Sequence, residues 1–223
     1  TRSMCFDTKG GTLYSVGADR AVSIVDVENL SNTGCKKEAH RYPLNVCAMY
    51  EDHMLLTGDD EGYLSAWDVR SGFKKPMWSQ EEHGDFVSDI KCVAERKTIL
   101  VTSGDGTLTS YDPRKGKVVT MCEPMESELL SIAIAKNTNI AVCGSSSGAL
   151  EMFKWGVFGV PCDRFVGHPE SIDTLATVDQ DTLCSGSMDG LVRILSIQPN
   201  KCVRNTHART HKTQTHTRTH TYP

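Results

Sequence analysis

The chain has 223 residues, 39% of them hydrophobic, with 28 acidic and 24 basic side chains for a formal charge of −4. Four of the basic residues (Arg204, Arg209, Lys212 and Arg218) lie in an acid-free stretch at the end, leaving 20 against all 28 acids in residues 1–203. A body that acidic is a poor nonspecific phosphate binder, so direct nucleic-acid contact is not expected, and no apolar run reaches the ~18 residues of a membrane-spanning helix.

Residues 1–39 read as a first unit, with short strands expected near Ser3–Phe6, Leu13–Val16 and Ala21–Val25. No start Met or signal sequence precedes them, and the N-terminus is expected to be a truncation point. The second unit, 40–82, opens on His40 and carries a strand over Leu44–Met49. A hairpin follows over Leu55–Asp68, turning at Gly62 and closing on Trp67-Asp68, and Met77–Gln80 reads as a fourth strand. The third unit, 83–125, repeats this plan from His83, with strands near Phe86–Val93, Ile99–Ser103, Thr107–Tyr111 and Lys117–Cys122. In the fourth, 126–167, the leading His is missing, and strands are expected at Leu129–Ala135, Ile140–Gly144, Ala149–Phe153 and Pro161–Val166. The fifth, 168–204, runs from His168 through Ile172–Val178, Leu183–Gly186, Leu191–Leu195 and Lys201–Val203. The remainder, 205–223, alternates His and Thr with almost no apolar residue. It is expected to be a disordered low-complexity tail, the translation of a CA-type dinucleotide tract rather than a metal site.

The units share one register. Turn glycines Gly62, Gly106, Gly148 and Gly190 follow one another at 44, 42 and 42 residues. Asp26, Asp68, Asp112, Lys154 and Ser196 form a second column, each preceded by an apolar or aromatic residue (Val25, Trp67, Tyr111, Phe153, Leu195). A period in the low forties containing several strands is the mark of a propeller blade. Four short strands cannot bury both faces of their sheet alone, so the units must stack on one another.

Nine cysteines, none in a Cys-x-x-Cys pair, give no zinc or redox motif and are expected to be buried, reduced thiols acting as small hydrophobes, which implies the cytosol or nucleus. Gly144-Ser145-Ser146-Ser147-Gly148 matches the hydrolase pattern Gly-x-Ser-x-Gly. In register, however, it is a strand-to-strand turn, where a nucleophile elbow needs a helix. Asp59-Asp60-Glu61 is expected to be a solvated acidic turn. No cofactor, metal or small-molecule substrate is expected, and the chain is not expected to be an enzyme.

Laid out in this way, the sequence resembles the WD-repeat (WD40) propellers: Gly167-His168, His40 and His83 match the family's Gly-His position, Asp105 and Asp189 its turn aspartate, and Trp67-Asp68 its closing dipeptide. The resemblance implies an all-β propeller, about five four-stranded blades of a seven-bladed ring. It also implies structural tetrads drawn from His40, Thr57 and Trp67; His83, Asp105 and Tyr111; and His168, Ser185 and Asp189. No unit holds all four tetrad residues: Glu61 stands for Asp in the second, Tyr111 for Trp in the third and Leu195 for Trp in the fifth. A narrower similarity, carried by Leu55-Leu-Thr-Gly-Asp-Asp, Ser103-Gly-Asp-Gly, Cys143-Gly-Ser-Ser-Ser-Gly, Glu170-Ser-Ile-Asp and Leu183-Cys-Ser-Gly-Ser-Met-Asp-Gly, is to the WD repeat-containing protein fifty-five family. That implies a nuclear, nucleolar scaffold in ribosomal RNA production, with proteins of a nuclear complex as partners and no membrane; the cytoplasm is the alternative location. A substrate-recruiting receptor of a ubiquitin-ligase or chromatin complex is the alternative function, since one fold serves many roles. Asp89 and Asp173 on first strands, with Trp78 and Trp155, are the candidates for partner contact.

Overall fold

The structure, a computed structural model, describes residues 1–207. It contains twenty strands in five four-stranded antiparallel meanders, each hydrogen-bonded in simple chain order. Sheet one holds β1 (Ser3–Phe6), β2 (Thr12–Val16), β3 (Val22–Asp26) and β4 (Ser31–Lys36). Sheet two holds β5 (Leu44–Tyr50), β6 (Met54–Asp59), β7 (Tyr63–Asp68) and β8 (Trp78–Glu81). Sheet three holds β9 (Val87–Val93), β10 (Thr98–Ser103), β11 (Leu108–Asp112) and β12 (Lys117–Met121), and sheet four holds β13 (Leu129–Ala135), β14 (Ile140–Ser145), β15 (Ala149–Lys154) and β16 (Asp163–Val166). Sheet five holds β17 (Ile172–Thr177), β18 (Thr182–Ser187), β19 (Leu191–Ser196) and β20 (Lys201–His207).

The Asp column has a local cause. After the third strand, Asp26, Asp68 and Asp112 each accept a backbone N–H from the following turn, from Asn29, Arg70 and Arg114 respectively, all at 2.9 Å. A short carboxylate that caps the turn's own amides is what such a reversal favours. Arg70 also reaches back to Asp68 and holds its carboxyl down to about 2.

Packing runs sheet to sheet through four apolar clusters. Tyr14, Val16 and Val22 of sheet one meet Leu44, Leu55 and Trp67 of sheet two. Leu56, Leu64 and Ala66 meet Val87, Ile99 and Val101. Leu100 and Leu108 meet Ile132, Cys143 and Phe153. Val142, Leu150 and Met152 meet Ile172, Leu183 and Leu195. First strands pack on successive first strands, β1 on β5, β5 on β9, β9 on β13 and β13 on β17, while nothing in sheet five packs on sheet one beyond incidental contact among the described residues. The five sheets therefore form an open arc.

One expectation is completed and two are corrected. The fourth strand of sheet one, which the sequence left unplaced, is β4, over a polar stretch whose edge position leaves it mostly exposed and therefore without an apolar signal. The last strand does not stop at Val203, nor the folded part at 204: β20 continues, pairing Asn205 with Arg193, Thr206 with Val192 and His207 with Leu191. Backbone pairing to β19 holds this segment despite its polar composition. The rest of the expected tail, 208–223, lies outside the described residues. All nine cysteines are free, but only Cys47, Cys122 and Cys143 are buried, while Cys35, Cys162 and Cys202 are exposed.

Candidate functional site: blade tetrads and the inner strands

In sheet two the third strand brings the Trp67 ring beside Thr57 on the second, and the β4–β5 connection lays His40 over both. Trp67 Nε1 donates to Thr57 Oγ1 at 2.9 Å, and Thr57 Oγ1 lies 2.8 Å from His40 Nε2. His40 Nδ1 then lies 2.8 Å from Asp59 Oδ2. Asp59 Oδ1 accepts the Glu61 and Tyr63 amides at 3.1 and 2.9 Å. Asp59 is buried, not part of a solvated acidic turn, and it supplies the carboxylate that Glu61 does not; this unit has all four groups. Such a chain satisfies every buried polar atom, which is why it tolerates burial. Asp60, beside it, faces outward and pairs with Arg2 across sheets at 2.6 Å.

Sheet three solves the same problem with different residues. Val101 stands where Thr57 does, so no strand hydroxyl is available, and the longer Tyr111 reaches His83 itself, its OH 3.2 Å from Nε2. His83 Nδ1 lies 3.0 Å from Thr107 Oγ1, which donates to Asp105 Oδ1 at 2.6 Å. Burial works to raise the Asp105 carboxyl, but the His83 and Thr107 side chains and the Gly84 and Thr107 amides hold it well below the usual carboxylate range. In sheet five His168 Nε2 meets Ser185 Oγ at 2.7 Å, and there the chain stops. Asp189 turns to Arg193 instead, in a two-pronged pair at 3.1 and 2.5 Å, so that His168 Nδ1 is buried without a hydrogen bond. Burial and the neighbouring Arg193 push the His168 pKa down. Sheet four lacks the His, and a cavity of about 530 Å³ opens there, lined by Met125, Ser127, Ser145 and the Glu151–Arg164 pair.

The partner-contact candidates are mostly engaged within the fold. Asp89 is largely enclosed, and its Oδ2 accepts the Ile132 amide of sheet four at 2.8 Å, a bond across sheets rather than toward a partner. Trp78 donates from Nε1 to the Pro113 carbonyl at 3.0 Å and stacks on Tyr111 with ring centroids 6.4 Å apart. Trp155 packs edge-on against Phe158 and lies under the Arg96 guanidinium, 5.6 Å from its ring centroid. Asp173 alone is exposed, accepting only from the Ser171 hydroxyl at 2.7 Å. The Gly144–Gly148 segment is a hairpin turn from β14 to β15 in which Ser145 Oγ bonds both the amide and the carbonyl of Ala149.

Asp89 belongs to a set that sequence reasoning missed. Ser3 Oγ accepts the Cys47 amide at 3.2 Å, and Asn45 donates to the Val87 carbonyl at 2.9 Å. Ser88 donates to the Leu129 carbonyl at 2.6 Å, and Ser131 to the Ile172 carbonyl at 3.0 Å. Each ties one inner strand to the next. Their signal was a small polar residue near the start of every first strand, 42 or 43 residues apart. Register slips in β5 and β9 leave Asn45 and Ser88 as the unpaired residues, whereas Ser3 and Ser131 stay paired, with Val16 and Gly144.

Four-stranded meanders stacked inner strand to inner strand and pinned by His–Thr–Trp or His–Tyr hydrogen-bond chains define a protein of the WD-repeat propeller class. The WDR55 family model matches residues 1–213, and the chain belongs to that family. It is 33% identical over 202 residues to WD repeat-containing protein 55 of Rattus norvegicus, a match covering 91% of this chain and 52% of the relative. The Dictyostelium discoideum homolog is 34% identical over 200 residues, with 90% and 48% covered. The Arabidopsis thaliana relative is 31% identical over 204 residues, with 91% and 57% covered. The chain thus spans about half the length of the curated relatives it matches.

Proposed function

We propose that this chain is a noncatalytic WD-repeat interaction scaffold acting in ribosomal RNA production in the nucleolus, with other proteins of a nuclear complex as its partners. The observation that carries the scaffold reading is where the reactive side chains point. His40, His83, Asp59, Asp105, Ser145 and Ser185 are spent on hydrogen bonds that hold strands together, and His168, bonded to Ser185 through Nε2, keeps its unpaired Nδ1 buried. A general base must reach a reacting atom, and these groups face one another inside the sheets. Among the described residues no three His, Cys, Asp or Glu side chains converge to hold a metal ion. The nucleolar role rests on the sequence resemblance and on membership of the family.

Depletion of the protein followed by pulse-labelling of ribosomal RNA tests this reading. Reduced precursor synthesis, restored by the wild-type chain, is the expected result. Normal synthesis with the protein absent from nucleoli contradicts it.

A further inference from the structure

In sheet four the position of the tetrad histidine holds no ring. Glu126 stands 22 residues before the turn glycine Gly148, as His40 does before Gly62 and His168 before Gly190, and it is exposed. The groups a histidine would meet have changed as well. Cys143 replaces Thr57 and Ser145 replaces Asp59, and Ser145 Oγ is engaged by Ala149 of its own turn. The space is left open, at about 530 Å³ against about 200 Å³ at the same place in sheet two, where His40 and Asp59 line what remains. Sheets three and five pack on the two faces of sheet four, so this opening lies inside the stack.

One side of the space carries a buried carboxylate with too few partners. The cross-strand pair Ser65–Ser79 of sheet two, hydroxyl to hydroxyl at 2.9 Å, becomes Glu151–Arg164 in sheet four. The Glu151 side chain is 7% exposed and that of Arg164 56%, so the carboxylate is enclosed while much of its counter-charge stands in water. Among the described residues Arg164 alone pairs with it, Nε to Oε1 at 2.9 Å, and Oε2 accepts no hydrogen bond. Burial pushes the Glu151 carboxyl up, and only Arg164 pulls it back. A carboxylate offers about four acceptor positions, and leaving them unfilled in a buried place is costly. The site lacks a donor.

Charge and shape name that donor. Glu126 and Asp163 line the space together with Glu151, three acids to the single base Arg164. Glu123 and Glu128 flank it on the connection from Cys122 to Leu129, which has no base. Met125 and Pro161 supply apolar walls for an aliphatic stem. In sheets two, three and five this position takes a planar ring with N–H donors. A guanidinium is also planar, carries its N–H donors in a fixed fork and is weakly hydrated for a cation. It can meet a carboxylate through two parallel bonds, which a compact, strongly hydrated ammonium cannot.

We propose that the cavity of sheet four is a binding site for a guanidinium group, as borne by arginine, with Glu151 as its counter-ion. The expected source is an arginine of a partner protein, set among further basic residues that meet Glu123, Glu126 and Glu128. In that source the proposal rests on the scaffold reading, but its test does not depend on ribosomal RNA production.

The test is calorimetric titration of the 223-residue chain with the peptide Gly-Lys-Gly-Arg-Gly-Lys and with the same peptide carrying uncharged citrulline for arginine. The arginine peptide is expected to bind, with citrulline and Glu151→Gln each weakening it by about tenfold or more. Glu126→His, which returns an imidazole to the space from an exposed position, should abolish binding, while Glu126→Gln, which removes only the charge, should keep most of it. Circular dichroism checks folding, and the Glu126 variants carry the test if Glu151→Gln does not fold. Free L-arginine should bind more weakly than the peptide; the reverse order assigns the site to a small molecule. Tighter peptide binding by a chain with both Arg209→Gln and Arg218→Gln assigns it to this chain's own arginines. Equal affinity for the arginine and citrulline peptides overturns the proposal. So do the absence of binding and binding that neither Glu151→Gln nor Glu126→His alters.

Discussion

Sheets four and five share one repeat, one turn chemistry and nearly one register, yet they differ in how far they are enclosed. β14 is buried at every residue, whereas its counterpart β18 is buried only at Leu183 and Ser185. The sequences explain little of this, since Val142 and Cys184, or Leu150 and Val192, are both apolar pairs. The difference is positional: among the described residues sheet four has a neighbour on each side and sheet five on one. In a stacked-repeat protein a residue's burial is a property of the stack, and stability is the sum of repeat and interface terms.

The largest effect should come from the enclosed side of that comparison. Leu150→Ala removes a fully buried side chain from the cluster joining sheets four and five and is expected to cost about 2–5 kcal/mol. Val192→Ala, at the same register position one sheet on, should cost less than about 1 kcal/mol. Chemical denaturation of the two variants measures both, and equal losses would mean that sheet five is covered in solution.

The tetrads give a second contrast. His40 joins two buried groups, Thr57 and Asp59, whereas His168 joins only Ser185. His40→Ala should therefore cost about 2–3 kcal/mol, and His168→Ala about 1 kcal/mol. The order is the prediction, and thermal melts showing the reverse would contradict the assigned hydrogen bonds.

A smaller effect concerns acid. Burial and Arg193 depress the folded pKa of His168, against the pull of Asp189, so the folded state resists the proton that the unfolded chain accepts from about pH 6.5 downward. Its contribution is fully present above that pH and is lost as pH falls toward the lower folded value. His168→Gln should flatten the decline in melting temperature between pH 6.5 and 5, and an unchanged slope would exclude His168 as its source.

The period and the turn glycines were readable because each serves its own unit: Gly62 needs its positive φ whatever lies beside it. Asp59 was not readable, since the repeat pattern puts the aspartate at the Glu61 position and only the fold shows that a carboxylate two residues earlier reaches His40. The bonds from Ser3, Asn45, Ser88, Asp89 and Ser131 run between units, so a pattern read within units passes over them. Asp89 and the two tryptophans looked free in sequence because partners 35 or more residues away, Ile132 for Asp89, Pro113 for Trp78 and Arg96 for Trp155, leave no local mark. β4 escaped for the opposite reason, since an exposed edge strand needs no apolar residues.

Amide hydrogen exchange on a dilute sample tests the open arc most directly, because exchange reports how firmly each strand is held. Strongest protection is expected in β10 and β14, inside sheets covered on both faces, with faster exchange in β2 and β18 of the terminal sheets. Uniform protection across all five sheets in a monomer would show that the ends meet, and would contradict the arc.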